Sequence, residues 1–114
     1  WCLCPLSNLY IENKTPSFNL FKKYSDKVTI GTDSLASNKE LSVLSELMVI
    51  QKECPDFQFD ELLKWGTING AKALGINHKF GSIEKGKTPG INLITNFDFQ
   101  NMKLSENSNV KVLI

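Results

Sequence analysis

The chain has 114 residues and a mass of 12.8 kDa; 41% hydrophobic and 22% charged side chains fit one small folded domain and exclude disorder, collagen-like repeats and low-complexity scaffolding. Thirteen basic and twelve acidic residues give a net charge of +1, and neither sign gathers into a block, so no nucleic acid or anionic membrane is expected as a partner. The apolar stretches are too short to span a bilayer, and the start lacks the basic flank and apolar run of a secretory leader, so a cytoplasmic protein is expected.

Trp1 to Cys4 is apolar throughout and reads as a strand covered on both faces, as if the chain began inside a fold; Pro5 stops it and Leu6-Ser7-Asn8 reads as a loop. Thr15-Pro16 is a helix-start signal, with Phe18, Leu20, Phe21 and Tyr24 as its apolar contacts and Ser25-Asp26-Lys27 as its end. Val28 to Thr32 is a β-branched second strand that delivers Asp33 at its C-terminal end. Ser37-Asn38-Lys39-Glu40 fits a capping box for a helix running to about Glu53, with Leu41, Leu44, Leu47, Met48 and Gln51 on one face.

A third helix is expected over about Phe59 to Trp65 and a fourth over Thr67 to Leu74, closed by Gly75 in a left-handed cap. Gly66 and Gly70 mark close packing or a break between these helices. From Gly81 the texture changes to a turn-rich segment, followed by strands at Ile91 to Thr95 and Val110 to Ile114 with a polar loop between them. The order is that of a βαβα unit followed by the edge of a β layer, with a boundary near residue 81.

Cys2, Cys4 and Cys54 are odd in number and read as buried free thiols; Cys2 and Cys4 alternate with Leu3 and so point to one face. His78, the only histidine, sits in a turn-like stretch, and the composition closes no zinc cage. In parallel α/β folds ligands gather at the carboxyl ends of strands, which singles out the stretch from Pro5 to Asn8 and the pair Asp33-Ser34. By spacing alone Asp33 is either a solvated turn residue or a carboxylate placed to bind a metal or take a proton from water.

Four motifs then stand in order: Cys4-Pro5-Leu6-Ser7-Asn8; Ile30-Gly31-Thr32-Asp33-Ser34-Leu35-Ala36-Ser37-Asn38; Thr67-Ile68-Asn69-Gly70-Ala71-Lys72-Ala73-Leu74-Gly75; and Gly81-Ser82-Ile83-Glu84-Lys85-Gly86-Lys87. Together they resemble the C-terminal part of the amidohydrolase superfamily, in the aminohydrolase branch with S-adenosylhomocysteine and methylthioadenosine deaminases, guanine deaminase and chlorohydrolase-like enzymes. The resemblance implies an α/β fold comprising the last two strand-helix units of a metal-dependent-hydrolase TIM barrel, residues 1–80, and the C-terminal strands of a flanking β-sandwich, residues 81–114.

It also implies that Asp33 helps bind a divalent metal, zinc or iron, and carries a proton from the metal-bound water to the leaving group. Ser7, Asn8 and Ser34 would line the mouth of the substrate pocket. The family's histidine ligands have no counterpart here, and Pro89-Gly90 replaces the Ala-Asp pair that many members carry before the last sandwich strand. The expected parent activity is hydrolytic deamination of a purine-like or pterin-like small molecule, with this segment inactive alone and partnered by the missing N-terminal part of the barrel or by a second copy. An inactive stand-alone assembly module is the alternative; a nucleotide-binding loop at Gly31 to Ser34 is disfavoured because no glycine-rich fingerprint precedes a helix.

Overall fold

The computed structural model describes all 114 residues. The first strand, β1 (Cys2–Leu3), is followed by α1 (Pro5–Glu12), a 3-10 segment (Phe18–Lys27) and β2 (Thr29–Ile30). β1 and β2 pair in parallel with Cys2 opposite Thr29 and Leu3 opposite Ile30, a pairing that requires the intervening crossover. Three helices come next, α2 (Val43–Glu53), α3 (Phe59–Trp65) and α4 (Ile68–Ala73), and then an antiparallel hairpin of β3 (Asn92–Asp98) and β4 (Lys103–Val112).

Four local expectations change. Leu6-Ser7-Asn8 lies in α1, not in a loop, because Pro5 both ends the strand and occupies the first helical turn, where its missing N–H costs nothing. The Thr15-Pro16 signal does not start the next helix; the 3-10 segment begins at Phe18, after Ser17, and kinks at Tyr24. α2 starts at Val43, with the Ser42 hydroxyl accepting from the Ser45 amide at 3.2 Å, so Ser42 and not Ser37 is its cap. The polar stretch before Val110 belongs largely to β4: both faces of much of this two-stranded hairpin meet water, so polar residues suit it, and the turn shrinks to Phe99–Met102.

The core is a single cluster that joins the parallel pair to the helices: Leu3, Val28 and Ile30 from the strand region pack with Leu44, Leu47, Ile50, Phe57, Leu62 and Trp65. Each fully buried aliphatic side chain contributes about 1.5–3 kcal/mol. Phe57 and Trp65 meet edge to face at 5.1 Å, and the Trp65 indole N–H donates to the Ser25 hydroxyl, which satisfies its polar end. Asn69 reaches from α4 to donate to the Ser25 and Val28 carbonyls at 2.8 Å each, fixing the start of β2.

Gly66 falls between α3 and α4, and a Cβ there would come within 3.1 Å of Val43, so both the break and the close packing expected of it are present. Gly75 has φ of +71°, the left-handed conformation expected after the fourth helix. Cover on both faces of the first strand is not found: Leu3 is buried, whereas Trp1 and Cys2 are exposed, and Cys4 and Cys54 are half-buried rather than buried. Cys2 and Cys4 do point one way, flanking Gly31 just beyond β2.

Candidate functional site

The carboxyl ends of β1 and β2 bring two segments side by side: the first turn of α1 and the loop from Thr32 to Ser42. Asp33 leaves β2 with φ of +56°, a left-handed backbone that aspartate tolerates and that turns the chain sharply away from the sheet. Its Oδ2 accepts from the Ser7 hydroxyl at 2.9 Å and from the Ser37 hydroxyl at 2.8 Å. Those two bonds, with help from the Ser34 amide, hold the Asp33 carboxyl below the usual aspartate range. The group is therefore a carboxylate at neutral pH, with one oxygen pinned and the other free of hydroxyl donors.

Ser7 is buried and belongs with Asp33, as expected of a site residue, but its hydroxyl is spent on the carboxylate. Ser37, assigned to helix capping by its sequence, performs the same service from the other side. Ser34 is exposed, and its hydroxyl accepts from the Ala36 amide, closing the turn. Asn8 is half-buried in α1, with its backbone N–H on the Cys4 carbonyl. His78 lies in the exposed stretch after α4, far along the chain from the strand ends.

Beneath Asp33 lies a second carboxylate that sequence reasoning missed. Glu46, on α2, is fully buried; its Oε2 accepts from the Leu6 amide and its Oε1 from the Asn38 side-chain amide, both at 2.8 Å. The same Asn38 nitrogen donates to the Thr32 carbonyl at 2.9 Å. Burial pushes the Glu46 carboxyl up, against the opposing pull of its two donors. The available signal was a glutamate three residues after Val43 and four before Ile50, on one apolar stripe of the helix, since a charged residue there needs a buried partner.

A shallow depression of about 600 Å³ opens beside this apparatus, lined by Leu6, Leu9, Tyr10, Asn38, Lys39 and Glu40. No three His, Cys, Asp or Glu side chains of the chain converge to hold a metal ion. Asp33 offers one anionic oxygen of suitable chemistry, so these residues fit a single position in a metal's ligand shell and not a whole centre. No helix is long and apolar enough to cross a membrane.

A parallel βαβ unit with a carboxylate fixed at its strand ends defines an α/β protein whose polar chemistry gathers at one end of its sheet. The sequence matches the amidohydrolase family over residues 1–114, and the chain belongs to that family. Among curated relatives it is similar to 5-methylthioadenosine/S-adenosylhomocysteine deaminases: 40% identical to that of Caldicellulosiruptor saccharolyticus over 79% of this chain and 22% of the relative. The match to the Saccharophagus degradans protein is 29% over 95% of this chain and 25% of the relative, and to that of Symbiobacterium thermophilum 30% over 99% and 27%. The chain thus spans about a quarter of the length of the curated relatives it matches.

Proposed function

We propose that these residues are the C-terminal part of a metal-dependent amidohydrolase that deaminates a purine-like or pterin-like heterocycle in the cytoplasm, and that the segment is inactive without the rest of its barrel. Residues 1–80 would close the barrel, with β1 and β2 as its last two strands, and residues 81–114 would join a flanking sandwich. The observation that carries this reading is Asp33: an ionised carboxylate, pinned at the end of a parallel strand in a chain of this family. The names of its relatives support 5-methylthioadenosine and S-adenosylhomocysteine as first substrates to test.

Asp33 Oδ1 would be the oxygen offered to the metal and to a proton, because Oδ2 is occupied by Ser7 and Ser37. A divalent zinc or iron, when bound with ligands from the rest of the barrel, lowers the pKa of water toward neutrality. The two serines keep Asp33 ionised and fixed in rotamer, so that it can accept a proton near neutral pH and release it to a departing amine. Ser34, exposed at the turn, and Asn8 would face the substrate mouth.

The test is ammonia release by the metal-loaded complete protein from 5-methylthioadenosine, S-adenosylhomocysteine, guanine and a pterin, with Asp33→Asn as the comparison. Turnover of one of these, lowered by about two to four orders of magnitude in D33N together with a lower metal-to-protein ratio, is the expected result. Absence of ammonia from every substrate removes the deaminase reading.

A further inference from the structure

We propose that Glu46 is a positioning residue for Asp33: through Leu6 and Asn38 it clamps together the two segments whose serines hold that carboxylate. The two carboxylates read adjacent residues of the same two segments. From α1, Leu6 gives its amide to Glu46 and Ser7 its hydroxyl to Asp33. From the loop after β2, Asn38 gives its side-chain amide to Glu46 and Ser37 its hydroxyl to Asp33. Asn38 also holds the carbonyl of Thr32, the residue before Asp33, so the clamp reaches both sides of the aspartate.

A buried carboxylate is an expensive way to join two segments, because burial alone disfavours its charge. What it supplies is two acceptor oxygens at a fixed separation, with no donor of its own. Glutamine cannot replace it: one of its two positions becomes an N–H that faces either the Leu6 or the Asn38 donor. The apolar alternative leaves both donors unpaired inside the protein. Gln51 is a useful contrast on the same helix, since its amide is spent on β4 and has no bond to the strand ends.

The role rests on the reading of Asp33 as the working carboxylate, and its test needs no turnover, so the two can fail separately. The complete protein is labelled with ¹³C at its aspartate carboxyls, the Asp33 resonance assigned with D33N, and its position at one neutral pH compared in Glu46→Gln, Asn38→Ala and Gln51→Ala. In E46Q the Asp33 carboxyl resonance is expected to move from its unmutated position, because the Ser7 and Ser37 hydroxyls are no longer held together on Oδ2. N38A should move it in the same direction by less, and Q51A should leave it in place. A folded E46Q protein whose Asp33 resonance stays at its unmutated position overturns the proposal.

Where E46Q and N38A do not fold, amide exchange in the unmutated protein gives the answer. Leu6 stands in the first turn of α1, where a backbone N–H has no acceptor within the helix, and its amide is bonded to Glu46 Oε2 at 2.8 Å. Its exchange is therefore expected to be as slow as that of the Gly31 amide, which is bonded to the Leu3 carbonyl. A Leu6 amide that exchanges as fast as an unpartnered first-turn amide overturns the proposal.

Discussion

The strand-end region and the C-terminal hairpin use polar residues in opposite ways. At the strand ends, Ser7, Ser37, Asn38 and Glu46 are all buried, and the bonds from the Leu6 amide to Glu46 and from the Ser7 hydroxyl to Asp33 join segments 40 and 26 residues apart. In the hairpin, Ser105, Ser108, Asn96 and Asn107 bond among themselves near the bulge beside Asn96, largely in contact with water. The first arrangement fixes one geometry, because a buried group that loses its partner is penalised by about 1–3 kcal/mol. The second tolerates rearrangement, since water replaces any lost partner. What distinguishes a site from a surface here is where the polar groups are buried, not how many there are.

The sharpest way to break the strand-end region without touching a carboxylate is Gly31→Ala. A Cβ at Gly31 would stand 2.8 Å from the Cys2 sulfur and 3.2 Å from that of Cys4, between the strand pair and Asp33. Overpacking of this kind is expected to destabilise the protein by about 1–3 kcal/mol in urea denaturation. Cys2 is exposed, so Cys2→Ala alone should change little, and the C2A/G31A double variant should recover most of the loss. Equal destabilisation with and without Cys2 would mean that the glycine serves the backbone and not the thiols.

Gln51→Ala makes the complementary cut, at the joint between the two regions. The Gln51 side chain donates to the Leu104 carbonyl at 2.8 Å and accepts from the Leu104 amide at 2.9 Å, beside the one hairpin residue that enters the core. Its loss is expected to cost about 1–2 kcal/mol and to speed amide exchange in β4. Exchange at the Leu6 amide should not change, because nothing in that joint reaches the clamp. Faster exchange at both places would show that the regions are one cooperative unit.

The amphipathic spacing of Leu44, Leu47 and Met48, the β-branched run ending at Ile30 and the glycine after Leu74 made most of the elements legible in the sequence, because each is a local signal. Asp33 was visible as a strand-end carboxylate by its position. Its partners were not, since Ser7 lies 26 residues away and Ser37 carries an equally good local explanation as a helix cap. The capping signal was satisfied by Ser42 once tertiary bonding had claimed Ser37. Glu46 was hidden for the same reason: its donors, Leu6 and Asn38, are brought to it only by the packing of α1 and α2.

The smallest expected effect, and the one that separates the two carboxylates, is the dependence of stability on pH. Glu46 has a folded pKa raised above its unfolded value of about 4.3, so the folded protein takes up its proton first. As pH falls from neutrality through that raised value, Glu46 therefore makes a stabilising contribution relative to pH 7. Asp33 has the opposite sign. Its folded pKa lies below the unfolded value of about 3.9, so its contribution is complete above that value and is lost as pH falls through the depressed one. Urea midpoints between neutral pH and strong acid should therefore pass through a weak maximum on the acid side, followed by a fall that Glu84 and Asp98, also lowered by their partners, reinforce. In E46Q the rise toward the maximum should vanish while the fall remains; in D33N the rise should remain and the fall become shallower. A rise that survives in E46Q would assign the buried proton uptake to another group and leave the clamp without its electrostatic signature.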